Sequence, residues 1–174
     1  VWDIRQAVRL DRWKVKYKDR LPAWFDVMGE VDALVSFAGY AYNNPDFVYP
    51  QIVENDEFFL EAEKLGHPLI DNKNRVCNSY QVKGSGQFTI LTGANMAGKS
   101  TFLRTVGINI VLASNGAPVC AEKMKISPIE IVTSIHTADS LANNESYFYA
   151  ELKRLKLIID MLKEGKHIFI ILDE

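Results

Sequence analysis

Apolar side chains recur along this chain at several different spacings, and each spacing predicts a different element. Trp24, Met28, Val31, Val35, Ala38 and Tyr42 follow one another in steps of four and three, the seam of a helix laid against another helix. Pro22 suits its first turn and Asn43-Asn44-Pro45 ends it. Residues 1–20 mix Trp2, Ile4, Val8, Leu10, Trp13 and Tyr17 with many charges and read best as another helix. Phe47-Val48-Tyr49 is a short strand stopped by Pro50, and residues 54–64 form a small acidic surface element, a strand or a helical turn. After a loop at 71–75, Val76 to Val82 reads as a strand, and Lys83-Gly84-Ser85-Gly86 turns into another at 87–92. Helical spacing returns at 99–114, where Phe102, Leu103, Val106, Ile110 and Leu112-Ala113 predict a buried helix closed by Asn115-Gly116. Residues 118–135 are rich in β-branched side chains and broken at Pro128, as two strands or a strand and a loop would be. Phe148, Leu152, Leu155, Ile158, Ile159 and Leu162 make one stripe of an amphipathic helix over 144–163, closed by Gly165. His167 to Leu172 is a continuous apolar run, as a strand buried on both faces requires. Strands alternating with helices predict an α/β fold on a mostly parallel sheet.

The chemistry gathers where the strand at 87–92 meets the helix at 99. Gly93-Ala94-Asn95-Met96-Ala97-Gly98-Lys99-Ser100 is G-x-x-x-x-G-K-S between a strand and a helix, the phosphate-cradling loop of a nucleotide triphosphatase. Gly93 and Gly98 let the backbone turn so that successive N–H groups point inward at phosphate oxygens. The helix that follows aims the positive end of its dipole at the same anion. Lys99 is the candidate for the β- and γ-phosphates, and Ser100 for Mg²⁺. A second half of such a site ends the chain. Ile168-Phe169-Ile170-Ile171-Leu172-Asp173-Glu174 has the form of a Walker B strand, with Asp173 placed to hold Mg²⁺ and Glu174 to act on the attacking water.

Composition adds bounds. The chain has 174 residues, 48% of them hydrophobic, enough for one globular unit and an appendage. Its 20 basic and 22 acidic residues leave a net charge of −2, so no basic footprint advertises nucleic acid. Cys77 and Cys120 lack metal-ligand spacing and read as reduced thiols of a cytoplasmic protein. No apolar span of membrane length occurs. The first residue is not methionine and the last two follow directly on a strand, so both ends are expected to be cuts in a longer protein. His67 and His136, each beside proline or threonine, read as structural turn residues.

Several stretches jointly resemble the MutS family. Thr92 to Thr101 (TGANMAGKST) is similar to the family's loop T-G-P-N-M-G-G-K-S-T, in which Asn95-Met96 is distinctive. Upstream, Val31-Asp32-Ala33-Leu34 with Ser36-Phe37-Ala38 resembles the end of the MutS lever helix. Phe47-Val48-Tyr49-Pro50 and Gly66-His67-Pro68-Leu69 resemble the segments that open its ATPase domain, and Asn78 stands where the family has a nucleotide-contacting asparagine. Downstream, Gly116 to Ala121 resembles G-S-F-V-P-A, and Asp139-Ser140-Leu141 with Ser146-Tyr147-Phe148 and Glu151 resembles D-x-L…S-T-F…E. The resemblance implies residues 1–45 as the end of a helical lever/core domain and 46–174 as the N-terminal half of a P-loop NTPase domain. It implies ATP and Mg²⁺ as cofactors, and a homodimer formed through the ATPase domain with Ser146 contacting the partner's γ-phosphate. DNA would be bound by regions outside this chain. Asn95 would support the γ-phosphate, while Gly93, Ala94, Met96, Ala97, Gly98 and Thr101 would complete the cradle. In this class of ATPase a strand following Walker B in sequence inserts between the phosphate-loop and Walker B strands, so the chain as it stands is expected to hydrolyse ATP weakly or not at all.

Departures from the pattern point to a divergent branch. Ala94 and Ala97 replace proline and glycine, Tyr147 replaces threonine, and Ser134 lies where many members have arginine. Arg75 lies near the position of the aromatic that stacks on adenine, and a guanidinium stacks on a base too. Phe59-Leu60-Glu61 echoes the family's mismatch-reading F-x-E but sits beside the ATPase strands, the wrong place for a reader. Two functions remain open at this point: the ATPase of a mismatch-repair clamp, or a MutS-like nucleotide-binding regulator without mismatch recognition. An ABC-type transporter ATPase would show L-S-G-G-Q, which Asn143-Asn144-Glu145-Ser146 is not.

Overall fold

A computed structural model describes the chain except residues 55–56, 95, 136–146 and 174, and the side chains of Tyr147, Phe148 and Ala150. It divides into two compact units, Val1–Pro45 and Asp46–Glu174. The first holds two helices, α1 (Trp2–Tyr17) and α2 (Leu21–Asn43), with Pro22 in the first turn of α2. Tyr17 and Trp24 meet across their junction, ring centroids 5.5 Å apart. The a/d seam of α2 is not buried, however. Neither helix has a buried residue, and Met28, Val31 and Val35 are all more than half exposed.

The second unit runs β1 (Gln51–Ile52), β2 (Phe59–Leu65), β3 (Asn78–Lys83), α3 (Lys99–Ser114), β4 (Lys123–Ile126), β5 (Glu130–Ser134), α4 (Tyr147–Lys163) and β6 (Ile168–Leu172). A four-stranded sheet has the order β1-β4-β2-β3. Only β1 and β4 pair parallel in it; β2 runs antiparallel to both β4 and β3. β5 and β6 form a separate parallel pair. The expected mostly parallel sheet is therefore corrected: the larger sheet is mainly antiparallel, because β3 folds back along one edge of β2 and β4, reached through α3, runs antiparallel along the other.

The acidic stretch at 54–64 turns out to contain the central strand. β2 alternates from Phe59 to Glu63, with Leu60 and Ala62 at 0% and 2% exposure on one face and Glu61 and Glu63 on the other, before an irregularity at Lys64 returns Leu65 to the core. Helix α3 covers the apolar face. Val106, Ile110 and Ala113 pack there with Leu60, Leu65, Val119, Met124 and Ile126. Both long helices of this unit end as their glycines predict. Gly116 and Gly165 take φ of +73° and +76°, and each closes a Schellman pair: Ala117 N–H to Leu112 O with Gly116 N–H to Ala113 O, and Lys166 N–H to Met161 O with Gly165 N–H to Leu162 O.

Three further expectations are corrected. Phe47-Val48-Tyr49 contributes a single bridge, Val48 to Val119, and the short strand lies later, at 51–52. Residues 87–92 join no ladder, and Phe88 and Ile90 are 85% and 73% exposed. An apolar groove of about 570 Å³, lined by Tyr80, Leu91, Phe102, Val106 and Phe169 among others, separates this stretch from β6. For the same reason β6 is not buried on both faces. Ile171 alone is buried, and Leu172 is more than half exposed. Among the described residues of α4, Ile158 and Met161 are buried, packed on Val132, whereas Leu152 and Leu162 stay exposed.

Candidate nucleotide site

Helix α3 organises the site from its first turn. Gly98 caps it with φ +89°, a left-handed conformation that costs a residue with a Cβ about 1 kcal/mol or more, and the N–H of Phe102 returns to Gly98 O. Ahead of it, Ala97 N–H closes a turn on Ala94 O, and Met96 holds φ +65° with its side chain fully in solvent. Gly93 and Ala97 approach closely, a Cβ on the glycine falling 3.8 Å from that of the alanine. Lys99 Nζ donates to Gly93 O at 2.8 Å, so the lysine folds back over the loop it belongs to. Ser100 Oγ donates to Asp173 Oδ1 at 3.1 Å, across 73 positions of sequence. Asp173 is held there by its own backbone, whose N–H bonds Ser134 O and extends the β5–β6 register by one residue.

Two oxygen atoms of the kind Mg²⁺ prefers thus converge at the positive end of the helix that Lys99 opens. Thr101 is exposed and accepts, through its carbonyl, the Thr105 hydroxyl at 2.7 Å. Tyr80 steadies the approach to the loop: its hydroxyl lies 3.2 Å from Thr89 Oγ1, and its ring meets Phe102 edge-on at 5.6 Å. Tyr80 did not stand out in the sequence, where it was one aromatic of a strand.

The other anticipated residues are dispersed. Asn78 opens β3, paired with Leu65, and is exposed. Arg75 is committed to its own loop. Its Nε and Nη2 donate to Ile70 O at 3.0 and 2.7 Å, and the guanidinium lies over the Phe47 ring, 5.3 Å from the centroid. His67 accepts the Leu69 N–H, and burial, with Arg104 and Arg75 nearby, holds its pKa below the usual 6.5. Cys120 is buried and its thiol pKa is pushed up by that burial; Cys77 is exposed, and both are free. Asn95, His136, Ser146 and Glu174 lie outside the described residues. No helix among the described residues is long and apolar enough to cross a membrane.

Residues 89–174 match the family model MutS domain V. The chain is 34% identical over 149 residues to a DNA mismatch repair protein MutS 1 of Halobacterium salinarum, covering 84% of this chain and 16% of that protein. It is 35% identical over 159 residues to DNA mismatch repair protein MutS of Persephonella marina, covering 90% and 18%. With DNA mismatch repair protein MutS of Ehrlichia ruminantium it shares 30% over 162 residues, covering 92% and 20%. The chain thus spans a fifth or less of these relatives' lengths. The loop, the strand-end aspartate and these matches agree: the chain belongs to the MutS family.

Proposed function

We propose that this chain binds ATP with Mg²⁺ and forms the nucleotide-hydrolysing part of a MutS-like DNA mismatch repair protein, in which ATP switches a DNA-bound dimeric clamp between states. One observation carries the reading. Ser100 Oγ and Asp173 Oδ1, far apart in sequence, meet at 3.1 Å beside Lys99. A structural serine and a solvated strand-end carboxylate would have no reason to meet beside a lysine at a helix N-terminus.

The roles follow from the chemistry of each group. Lys99 exchanges the Gly93 carbonyl for the β- and γ-phosphate oxygens, a charge-assisted bond stronger than the one it gives up. Backbone N–H groups of Gly93, Ala94, Met96 and Gly98 cradle the phosphates, joined by that of Ala97 once it leaves Ala94 O. Ser100 and Asp173 hold Mg²⁺, which when bound neutralises charge on the β- and γ-oxygens. Asn95 supports the γ-phosphate, and Glu174 orients water for attack. Asn78 and Arg75 serve the base side, and Ser146 reaches the γ-phosphate of the opposite subunit. The groove between residues 87–91 and β6 has the apolar lining that an additional strand would need. With 87–92 outside the ladder, the loop rests on α3 alone, and turnover by this chain is expected to be weak.

Calorimetric titration with ATP tests the reading. Mg²⁺-dependent binding is expected, and Lys99→Ala should weaken it by roughly 10- to 100-fold, the loss of a hydrogen bond to a charged group. Binding that ignores both Mg²⁺ and Lys99→Ala would refute it. In a full-length protein carrying this chain, turnover stimulated by mismatched or branched DNA, and not by homoduplex, supports the repair role; turnover indifferent to every DNA removes it.

A further inference from the structure

Asn109 lies in the middle of α3, fully buried among apolar side chains. Its amide is completely used. Nδ2 donates to Gly66 O at 3.0 Å and to Thr105 O at 2.8 Å, while Oδ1 accepts the Cys120 N–H at 2.8 Å. Two carbonyls and one N–H around it permit only this orientation of the amide. One side chain therefore joins α3 to the residue that follows β2 and to the segment that precedes β4.

From Gly66 the contacts lead to Arg75. The Arg75 Cδ fills the space in which a Cβ on Gly66 would stand, 2.5 Å from that position. Beyond Cδ the guanidinium is fixed by Ile70 O and the Phe47 ring. His67, next to Gly66, is within electrostatic reach of both Arg104 on α3 and Arg75. The loop over residues 66–75 therefore lies against the same helix whose first turn carries Lys99 and Ser100.

We propose that Asn109 is a positioning residue: through Gly66 it holds the Arg75 platform in fixed register with the phosphate loop, so that the base and the phosphates of one nucleotide are gripped together. The inference rests on the nucleotide reading above, with Arg75 on the base side. Its physical basis is rigidity. Ten residues of α-helix make a strut of about 15 Å that does not flex, and Asn109 bolts the loop to the far end of that strut. An apolar residue at 109 would fill the space but leave Gly66 O and the Cys120 N–H without partners; the Gly66 N–H to Cys120 O bond of 2.7 Å would remain, and the loop would lose its tie to α3.

The test compares MgATP with magnesium tripolyphosphate, which has the phosphates but no base. Asn109→Leu keeps the approximate size but can neither donate to Gly66 O nor accept the Cys120 N–H. It should bind ATP about tenfold more weakly, with tripolyphosphate affinity unchanged within error. Placed in an Arg75→Ala background, the same substitution should cause no further loss of ATP affinity, since it acts through Arg75. If thermal melting shows that Asn109→Leu does not fold, Asn109→Ser carries the same comparison. Equal losses for both ligands, no loss for either, or an effect that persists without Arg75 would overturn the proposal. Failure of the unaltered chain to bind either ligand would instead overturn the nucleotide reading beneath it.

Discussion

Gly66→Ala asks how firmly the Arg75 side chain is committed. A Cβ at position 66 would lie 2.5 Å from Arg75 Cδ and 3.0 Å from the sulfurs of both Cys77 and Cys120. Carbon atoms in contact normally keep about 3.5–4.0 Å, so Arg75 would have to retreat by about 1 Å. Cδ is not the loose end of a chain, because Nε and Nη2 beyond it are bonded to Ile70 O and the guanidinium sits over Phe47. Overpacking of this kind costs about 1–3 kcal/mol. Alanine returns about 0.4–1 kcal/mol through the narrower unfolded ensemble. The clash wins, and a net loss of about 1–2 kcal/mol is expected. With a urea slope of about 1–3 kcal/mol/M for small proteins, the unfolding midpoint should fall by roughly 1 M.

The same experiment contains its own control. Arg75→Ala alone removes two hydrogen bonds and the ring contact and should also destabilise. Combined with Gly66→Ala, however, it removes the atom that clashes. The double variant should therefore be more stable than the sum of the two single losses predicts, by about 1 kcal/mol or more. A midpoint for Gly66→Ala indistinguishable from that of the native chain, or strict additivity in the double variant, would refute the reasoning.

Gly107 presents the opposite balance. A Cβ there would meet Ile171 Cδ1 at 3.1 Å and Ile131 Cδ1 at 3.6 Å, both terminal methyls able to give way. Removing a mid-helix glycine favours α3 by about 1 kcal/mol. Gly107→Ala should accordingly leave the melting temperature level or slightly raised, whereas Gly107→Leu should lower it clearly. Stability should also fall at both ends of the pH range. His67 has a lowered pKa, so the unfolded chain binds the extra proton first; stability is full above 6.5 and declines as pH falls from there towards the folded value. Cys120 has a raised pKa, so the unfolded thiol ionises first and stability declines as pH rises past 9.0. Urea midpoints across pH should bend at both places, and His67→Gln and Cys120→Ser should each flatten one arm; unaltered arms in those variants would contradict the assignment.

The elements legible in the sequence were those fixed by local chemistry. The end of α3 at Asn115-Gly116 and of α4 at Gly165 needed only a residue tolerant of positive φ, and both formed as read. The site halves were legible as spacing: a loop motif before a helix and an aspartate at a strand end. Their meeting depended on the β5–β6 register, which puts Ser134 O opposite the Asp173 N–H. What failed was whatever depended on a neighbour. β2 looked like an acidic surface because Glu61 and Glu63 alternate with Leu60 and Ala62, and composition averages the two faces that a strand separates. The strand at 87–92 has the right residues but finds no partner strand in the ladder. Asn109 was hidden among apolar positions, since nothing local says that a lone buried amide will find three partners more than one turn away or on other segments.

The unpaired stretch before the loop raises the question of what holds the phosphate site together. The sheet does not supply that support, because residues 87–92 share no ladder with β6. Helix α3 does. Its first turn carries Lys99 and Ser100, and Ser100 reaches Asp173. One turn later Phe102 meets Tyr80, which in turn reaches Thr89. At Gly107 the helix lets Ile171 of β6 come close enough to touch backbone, and at Asn109 it holds Gly66 and Cys120. Each contact ties a different segment to one rigid rod, so a single helix sets the distances among the groups proposed to hold phosphate, metal and base. A perturbation that tilts α3 should therefore disturb all three together, whereas one confined to residues 87–92 should weaken turnover while leaving Lys99, Ser100 and Asp173 in register.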